Sequence, residues 1–268
     1  MLLRIRRVLG RMLASWVAFW RRLEGPELEP PIWHSHYLSH RVSRDVLKAF
    51  GNRLRGVVID IGAGTGHGET YLDKGSTTYY PTDLPSGRDP SDRRISLTGK
   101  APVHNCSVYE LPFPTNNFGG GMILMVLEHL EWPQLGLGEL FRVIEPGGLV
   151  LVSTPFAFPV HGAPFYFRRW TPAGLETELR KVGFEVEECI PCGAIFSSVT
   201  MNFHLGLRFH VMHSGPAFVQ KLIALLLPLI LPMQAITNLL ALNFDRIDRS
   251  GAFPLAVVSL ARKPKADR

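Results

Sequence analysis

Residues 57–69 read VVIDIGAGTGHGE, an apolar run followed by Gly62, Gly64, Gly66 and Gly68 at alternate positions. Bare backbone of this kind lets a ligand lie against the chain and permits left-handed turns that side chains resist. Its natural place is the end of a strand turning into a helix, the crevice at which open α/β sheets bind ligands. Asp83 closes the next apolar stretch, YYPTDL, 21 residues after Gly62. A carboxylate at that point can accept hydrogen bonds from the vicinal hydroxyls of a ribose. Glycine turn and acid together predict a ligand that carries a nucleoside. A dinucleotide fingerprint would need a third glycine where His67 stands, which speaks against a Rossmann oxidoreductase.

Two histidines fall where strands of such a sheet should end: His129 in LEHL and His161 in FPVHGAP. A neutral imidazole there is a suitable general base near pH 7. His161 is the stronger candidate because its surroundings read as an irregular loop, whereas His129 is equally suited to packing or capping. Arg169 is a candidate partner for an anionic acceptor and Glu128 a candidate contact on the cofactor side. His34, His36 and His40, and the CIPC run at 189–192, have the residue types of metal sites but no matching partners in the sequence. No metal is expected from them.

The elements that must position these groups follow from periodicity. A helix is expected over RVSRDVLKAFGNRL, starting at residue 41. Strands GVVIDIG, STTYYPTDL and GGMILMV come next, then a helix over PQLGLGELFRVIEPGG, the strand GLVLVSTP, the helix TPAGLETELRKVGF and the strand EVEECI. Apolar strands separated by helices predict a mostly parallel sheet covered on both faces. The four expected segments are an amphipathic helix and linker (1–30), the ligand-binding core (31–193), an apolar helical insertion (194–252), and a last strand with a basic tail (253–268).

The chain has 268 residues and a formal charge of +6. Arg4, Arg6, Arg7, Arg11, Arg21 and Arg22 all precede the first acid, Glu24, and the remaining 23 basic and 23 acidic residues cancel. The field is therefore local, and binding to nucleic acid is not expected. Three cysteines fit a reducing compartment. Arg11 interrupts the first apolar stretch, which disfavours a secretory signal.

With these residues in view, DIGAGTG, Asp83 and the long run ELPFPTNNFGGGMILMVLEHLEWPQLGLGELFRVIEPGGLVLVSTP together resemble the class I S-adenosylmethionine-dependent methyltransferases, over roughly residues 50–190. HGAPFYFRRWTPAGLETELRKVGFEV loosely resembles members associated with glycan and cell-envelope biosynthesis. The resemblance implies a Rossmann-like α/β sheet of seven strands, closing on an antiparallel pair supplied by EVEECI and FPLAVVSLAR. It implies S-adenosylmethionine as cofactor. Gly62, Ala63, Gly64 and Gly66 would then contact its methionine part, Asp60 would lie near its ammonium group, and Asp83, followed by Leu84, would hold its ribose. Ser107 stands where the family carries an acid facing the adenine, Gly119 where it carries Asp after the Phe of NNF, and Tyr166 where Asp often follows HxxP. A hydroxyl can accept in place of the acid.

Residues 222–244 contain no charged side chain. They are long enough to span a bilayer, but a single crossing would strand the last strand on the far side. Pro228 and Pro232 are expected to break the region into two short helices, forming a lid or a shallow re-entrant hairpin. Residues 1–23 place Trp16, Phe19, Trp20 and six arginines in an amphipathic pattern suited to an anionic interface. The expectation is a cytoplasmic methyltransferase held at a membrane surface through residues 1–23 and 217–244, acting on a small-molecule or lipid-linked acceptor. The competing reading is a catalytically silent scaffold of the same fold.

Overall fold

The computed structural model describes residues 29–64, 66–84, 103–209 and 216–265, with Ser15, Trp16 and Phe19 beside them. The N-terminal amphipathic segment thus lies outside the described residues apart from those three. The chain divides into two compact units, Val42–Cys192 with Pro254–Arg268, and Met1–Arg41 with Gly193–Phe253.

The first unit is built on one seven-stranded sheet, order β3-β2-β1-β4-β5-β7-β6. Its strands are β1 (Gly56–Ile61), β2 (Thr77–Asp83), β3 (His104–Asn105), β4 (Phe118–Leu124), β5 (Ile144–Pro155), β6 (Glu185–Cys192) and β7 (Ala256–Arg262). Neighbouring strands from β3 to β5 run parallel, while β7 lies antiparallel between β5 and β6. Strands buried on both faces need apolar residues at successive positions, and β1 supplies them. Ile59 packs with Leu137, Leu140 and Leu175 on one side. Val58 packs with Phe50, Leu54 and Met122 on the other.

Helices α1 (Tyr37–Gly51), α2 (Pro133–Val143) and α3 (Pro172–Lys181) accompany these strands. The start of α3 has a local cause. Thr171 Oγ1 caps α3 by accepting from Gly174 N at 3.1 Å, and Pro172 fills its first turn. The helix expected over 133–148 ends at Val143, because Ile144 is extended and Glu145 precedes Pro146, a combination that disfavours helix. The IEPGG stretch instead opens β5. Lys263 Nζ closes α2 by donating to Phe141 O and Ile144 O, both at 2.8 Å.

The second unit contains α4 (Ile195–Phe209) and α5 (Ala217–Phe244). Pro228 and Pro232 do not break the apolar region into two short helices: α5 runs through both. A proline removes one intrahelical hydrogen bond, which weakens a ladder without ending it. Four residues apart, the two share one exposed face. Asp245 anchors the start of α4, its carboxylate accepting from Ala194 N and Ser197 N at 3.1 and 3.0 Å. Among the described residues no helix is long and apolar enough to cross a membrane. In α5 the apolar run ends at Gln234, Thr237, Asn238 and Asn243.

Candidate functional site

The glycine turn closes β1; a Cβ on Gly62 would meet the Val126 side chain, and at Gly64 the turn faces open space. A Cβ on Gly64 would meet nothing within 4 Å, and its φ of +55° is one that side chains resist. Gly68 is bare for the opposite reason, since a Cβ there would collide with Asp60 Oδ2. Asp60 is buried, and Tyr79 OH donates to its Oδ2 at 2.6 Å. Burial pushes the Asp60 carboxyl up to about 7; the Tyr79 hydrogen bond opposes that rise and the charge of Asp83 adds to it.

Asp83 ends β2 beside the turn. Its Oδ2 accepts from Gly64 N at 2.9 Å and its Oδ1 from Leu84 N at 2.7 Å. Ala63 N donates to Thr82 O at 2.9 Å, which ties the turn to β2 once more. Just beyond, Cys106 N donates to Asp83 O at 2.9 Å, and Ser107 Oγ accepts from Tyr109 N at 3.2 Å. Asp60, Gly62, Ala63, Gly64, Gly66, Asp83, Leu84 and Ser107 thus gather at the ends of neighbouring strands. Gly119 has a steric reason, since a Cβ there would lie 2.7 Å from Arg55 O.

The second group lies past the ends of β4 and β5. Met125 takes a left-handed φ of +54° and leads into a short 3-10 turn, Leu127–His129. Phe167 N donates to Glu128 O at 2.7 Å, pinning the loop after β5 to this turn. His129 Nδ1 donates to Phe165 O at 2.6 Å, and His161 Nδ1 donates to Pro159 O at 3.1 Å. The two rings meet edge to face with centroids 5.0 Å apart. Tyr166 packs at a tilt against the His161 ring, centroids 4.7 Å apart, and Arg169 lies 5.6 Å over the Tyr166 ring. Burial holds His161 below the usual imidazole range, with the neighbouring His129 and Arg169 adding to the effect and the Pro159 carbonyl opposing it. Glu128 is wholly buried, and neither carboxylate oxygen finds a hydrogen-bond partner beyond a loose approach of its own backbone amide. Burial pushes it up to about 7.

The CIPC run lies in β6, where burial pushes the thiols of Cys189 and Cys192 up to about 11 and about 12. They stay protonated at neutral pH, so neither is a ready nucleophile or ligand.

Residues 59–152 match the family of methyltransferase domains. A Mycolicibacterium smegmatis protein named a probable S-adenosylmethionine-dependent methyltransferase is 35% identical over 95 residues, 33% of this chain and 37% of that one. A Nitrosospira multiformis ubiquinone/menaquinone biosynthesis C-methyltransferase is 31% identical over 126 residues, 42% of this chain and 49% of that one. These matches support a class I S-adenosylmethionine-dependent methyltransferase domain over residues 59–152. A Haloferax volcanii protein solved in complex with the Trm112 methyltransferase activator shares the fold, with a TM-score of 0.51 at 14% identity over 87% of this chain and 94% of that one. The matched segments span between about a third and half the length of the curated relatives.

The methyltransferase domain's cofactor is S-adenosylmethionine, and the residues present fit it. The open space in front of Gly64 is a cradle that a side chain would fill. Asp83 is seated by two backbone amides in the half-buried position from which a carboxylate reaches ribose hydroxyls. Sequence reasoning missed Tyr79, whose hydroxyl holds Asp60. In β1 and β2 Asp60 pairs with Pro81, two residues from Tyr79, and that register is not written in either strand alone.

Proposed function

We propose that this chain transfers a methyl group from S-adenosylmethionine to an oxygen of a lipophilic or lipid-linked acceptor, a glycan, lipid or quinone-like molecule, at the cytoplasmic surface of a membrane. The observation that carries the lipophilic part is the inverted polarity of the second unit. Along α5, Gln234 and Asn238 are buried, while Leu222, Leu225, Leu229, Met233 and Ile236 are exposed. Helix α4 buries Ser197, Ser198 and His204 beside Met201 and Leu205, and exposes Phe196, Val199 and Phe203. His204 Nε2 bonds Thr237 Oγ1 at 3.0 Å, and Asn238 Nδ2 donates to Ile32 O at 2.6 Å, so the polar groups face inward in pairs. Water-facing helices carry the reverse arrangement, and an apolar exterior of this extent marks an interaction surface. The Nitrosospira relative's name, a quinone biosynthesis enzyme, supports an acceptor of that solubility.

Bound S-adenosylmethionine supplies a methyl group on a positively charged sulfur, which a nucleophile displaces in line. In this reading the chain's task is to hold the partners and move one proton. Gly62, Ala63, Gly64 and Gly66 leave room for the methionine part, Asp60 lies near its ammonium group, Asp83 with Leu84 holds the ribose and Ser107 meets the adenine. His161 takes the acceptor's hydroxyl proton: its Nδ1 faces the Pro159 carbonyl, which leaves Nε2 as the basic lone pair, and burial keeps the ring neutral. His129 stands in the same tautomer beside it.

Calorimetric titration with S-adenosylhomocysteine, run alongside Asp83→Ala, tests this reading. The wild type binds, and the substitution weakens binding at least about tenfold, or ~1.4 kcal/mol. A well-folded wild type that does not bind would replace the enzyme with the silent scaffold.

A further inference from the structure

We propose that Glu128, His129 and His161 form a binding site for one first-row divalent transition-metal ion of the zinc class. The three side chains each offer a ligand atom, and these atoms lie within 4.8 Å of one another. Glu128 Oε1 is 3.9 Å from His129 Nε2, too far for a hydrogen bond and close enough for both to reach one ion by small side-chain movements. Among the described residues this is the group of His, Cys, Asp and Glu compact enough for a metal; neither His34–His40 nor the Cys189–Cys192 pair forms one.

Three independent features mark the group as built for a ligand. Glu128 is completely buried with both oxygens lacking a hydrogen-bond partner in good geometry, a state that is costly unless something charged or polar meets it. Each histidine is oriented by a backbone carbonyl on its Nδ1, Phe165 O for His129 and Pro159 O for His161, which fixes the proton there and leaves Nε2 as a donor lone pair. Metal-bound histidines are held in this manner. Phe158 and Tyr166 pack against the His161 ring at 5.1 and 4.7 Å and supply an apolar shell.

The donor set decides the class of ion. Two imidazoles and one carboxylate suit zinc and its first-row neighbours, whereas magnesium and calcium need more oxygen donors. The positive charge of Arg169, stacked over Tyr166, works against an ion held mainly by charge. Three protein ligands leave a coordination position open, as in sites where a metal polarises a bound hydroxyl. The assignment rests on this cluster alone: an ion bound there takes the His161 Nε2 lone pair, so the base role proposed above for His161 belongs to the ion-free chain.

The test uses the full chain, free of any affinity tag and stripped with chelator. It is titrated with Zn2+ in competition with a chromophoric chelator, and with Co2+ read by its visible ligand-field bands. One equivalent binds, and His161→Ala, His129→Ala and Glu128→Gln each weaken it roughly tenfold or more and abolish the Co2+ bands. His36→Ala leaves binding unchanged. The proposal is overturned if the wild type takes up no stoichiometric ion, or if His161→Ala binds as tightly as wild type. Because His161 sits on a loop, that variant decides the matter even where Glu128→Gln fails to fold.

Discussion

Asp60 shows how much one carboxyl can impose on its surroundings. Its ordinary value is 3.8 and burial lifts it to about 7. A carboxyl raised on folding binds its proton more tightly in the native state, so the folded protein is favoured below pH 4 and loses that advantage as pH climbs to about 7. Urea denaturation of the cofactor-free protein should therefore show wild-type stability falling relative to Asp60→Asn between pH 4 and pH 7, and the difference levelling off above. The ceiling on the loss is about 4 kcal/mol. A pH-independent gap between the two proteins would mean that Asp60 does not titrate in this window. That the glycines, Asp83 and the two histidines stand at or just past strand ends was legible in the sequence, because apolar runs mark where strands stop. Tyr79 and the isolation of Glu128 were not, since a hydrogen bond across two strands and the absence of one around a buried acid are both products of packing.

At the scale of elements, the strands declared themselves through continuous apolar runs, while helix ends depended on neighbours remote in sequence. Lys263 closes α2 from the far end of the chain, and no reading of PQLGLGELFRVIEPGG alone contains that residue. Helix α5 was misjudged for a related reason. Proline signals a break when water or a turn waits beyond it, and here both prolines sit on one exposed face of a helix that continues past them. The inverted helices carry their own prediction. Leu225→Glu with Leu229→Glu places charge on two of the most exposed leucines and should reduce sedimentation with anionic liposomes at least about tenfold, since each leucine withdrawn from lipid is worth ~2 kcal/mol. Melting temperature and S-adenosylhomocysteine affinity should stay as in the wild type. Unchanged liposome binding would remove the membrane from the proposal.

At the scale of the whole molecule, the alternation of strands and helices predicted the doubly covered sheet. What it did not contain is where the chain re-enters that sheet. Leu255 N donates to Cys192 O at 2.8 Å, and Cys192 stands opposite Ala256 in the antiparallel pair. The stretch 193–253 therefore departs and returns across the width of one hydrogen bond. To the sheet it is a single long hairpin loop, and the entropy of closing a loop rises only with the logarithm of its length. A junction so indifferent to its contents is a splice point. Under the proposed function, exchanging what is inserted there would change the acceptor without touching the strands that carry Asp60 and Asp83. Joining Cys192 to Pro254 through an Asn-Gly turn should give a shorter protein that still melts cooperatively and binds S-adenosylhomocysteine but no longer sediments with liposomes. Loss of cooperative melting would instead reveal the insertion as part of the framework rather than an exchangeable cartridge.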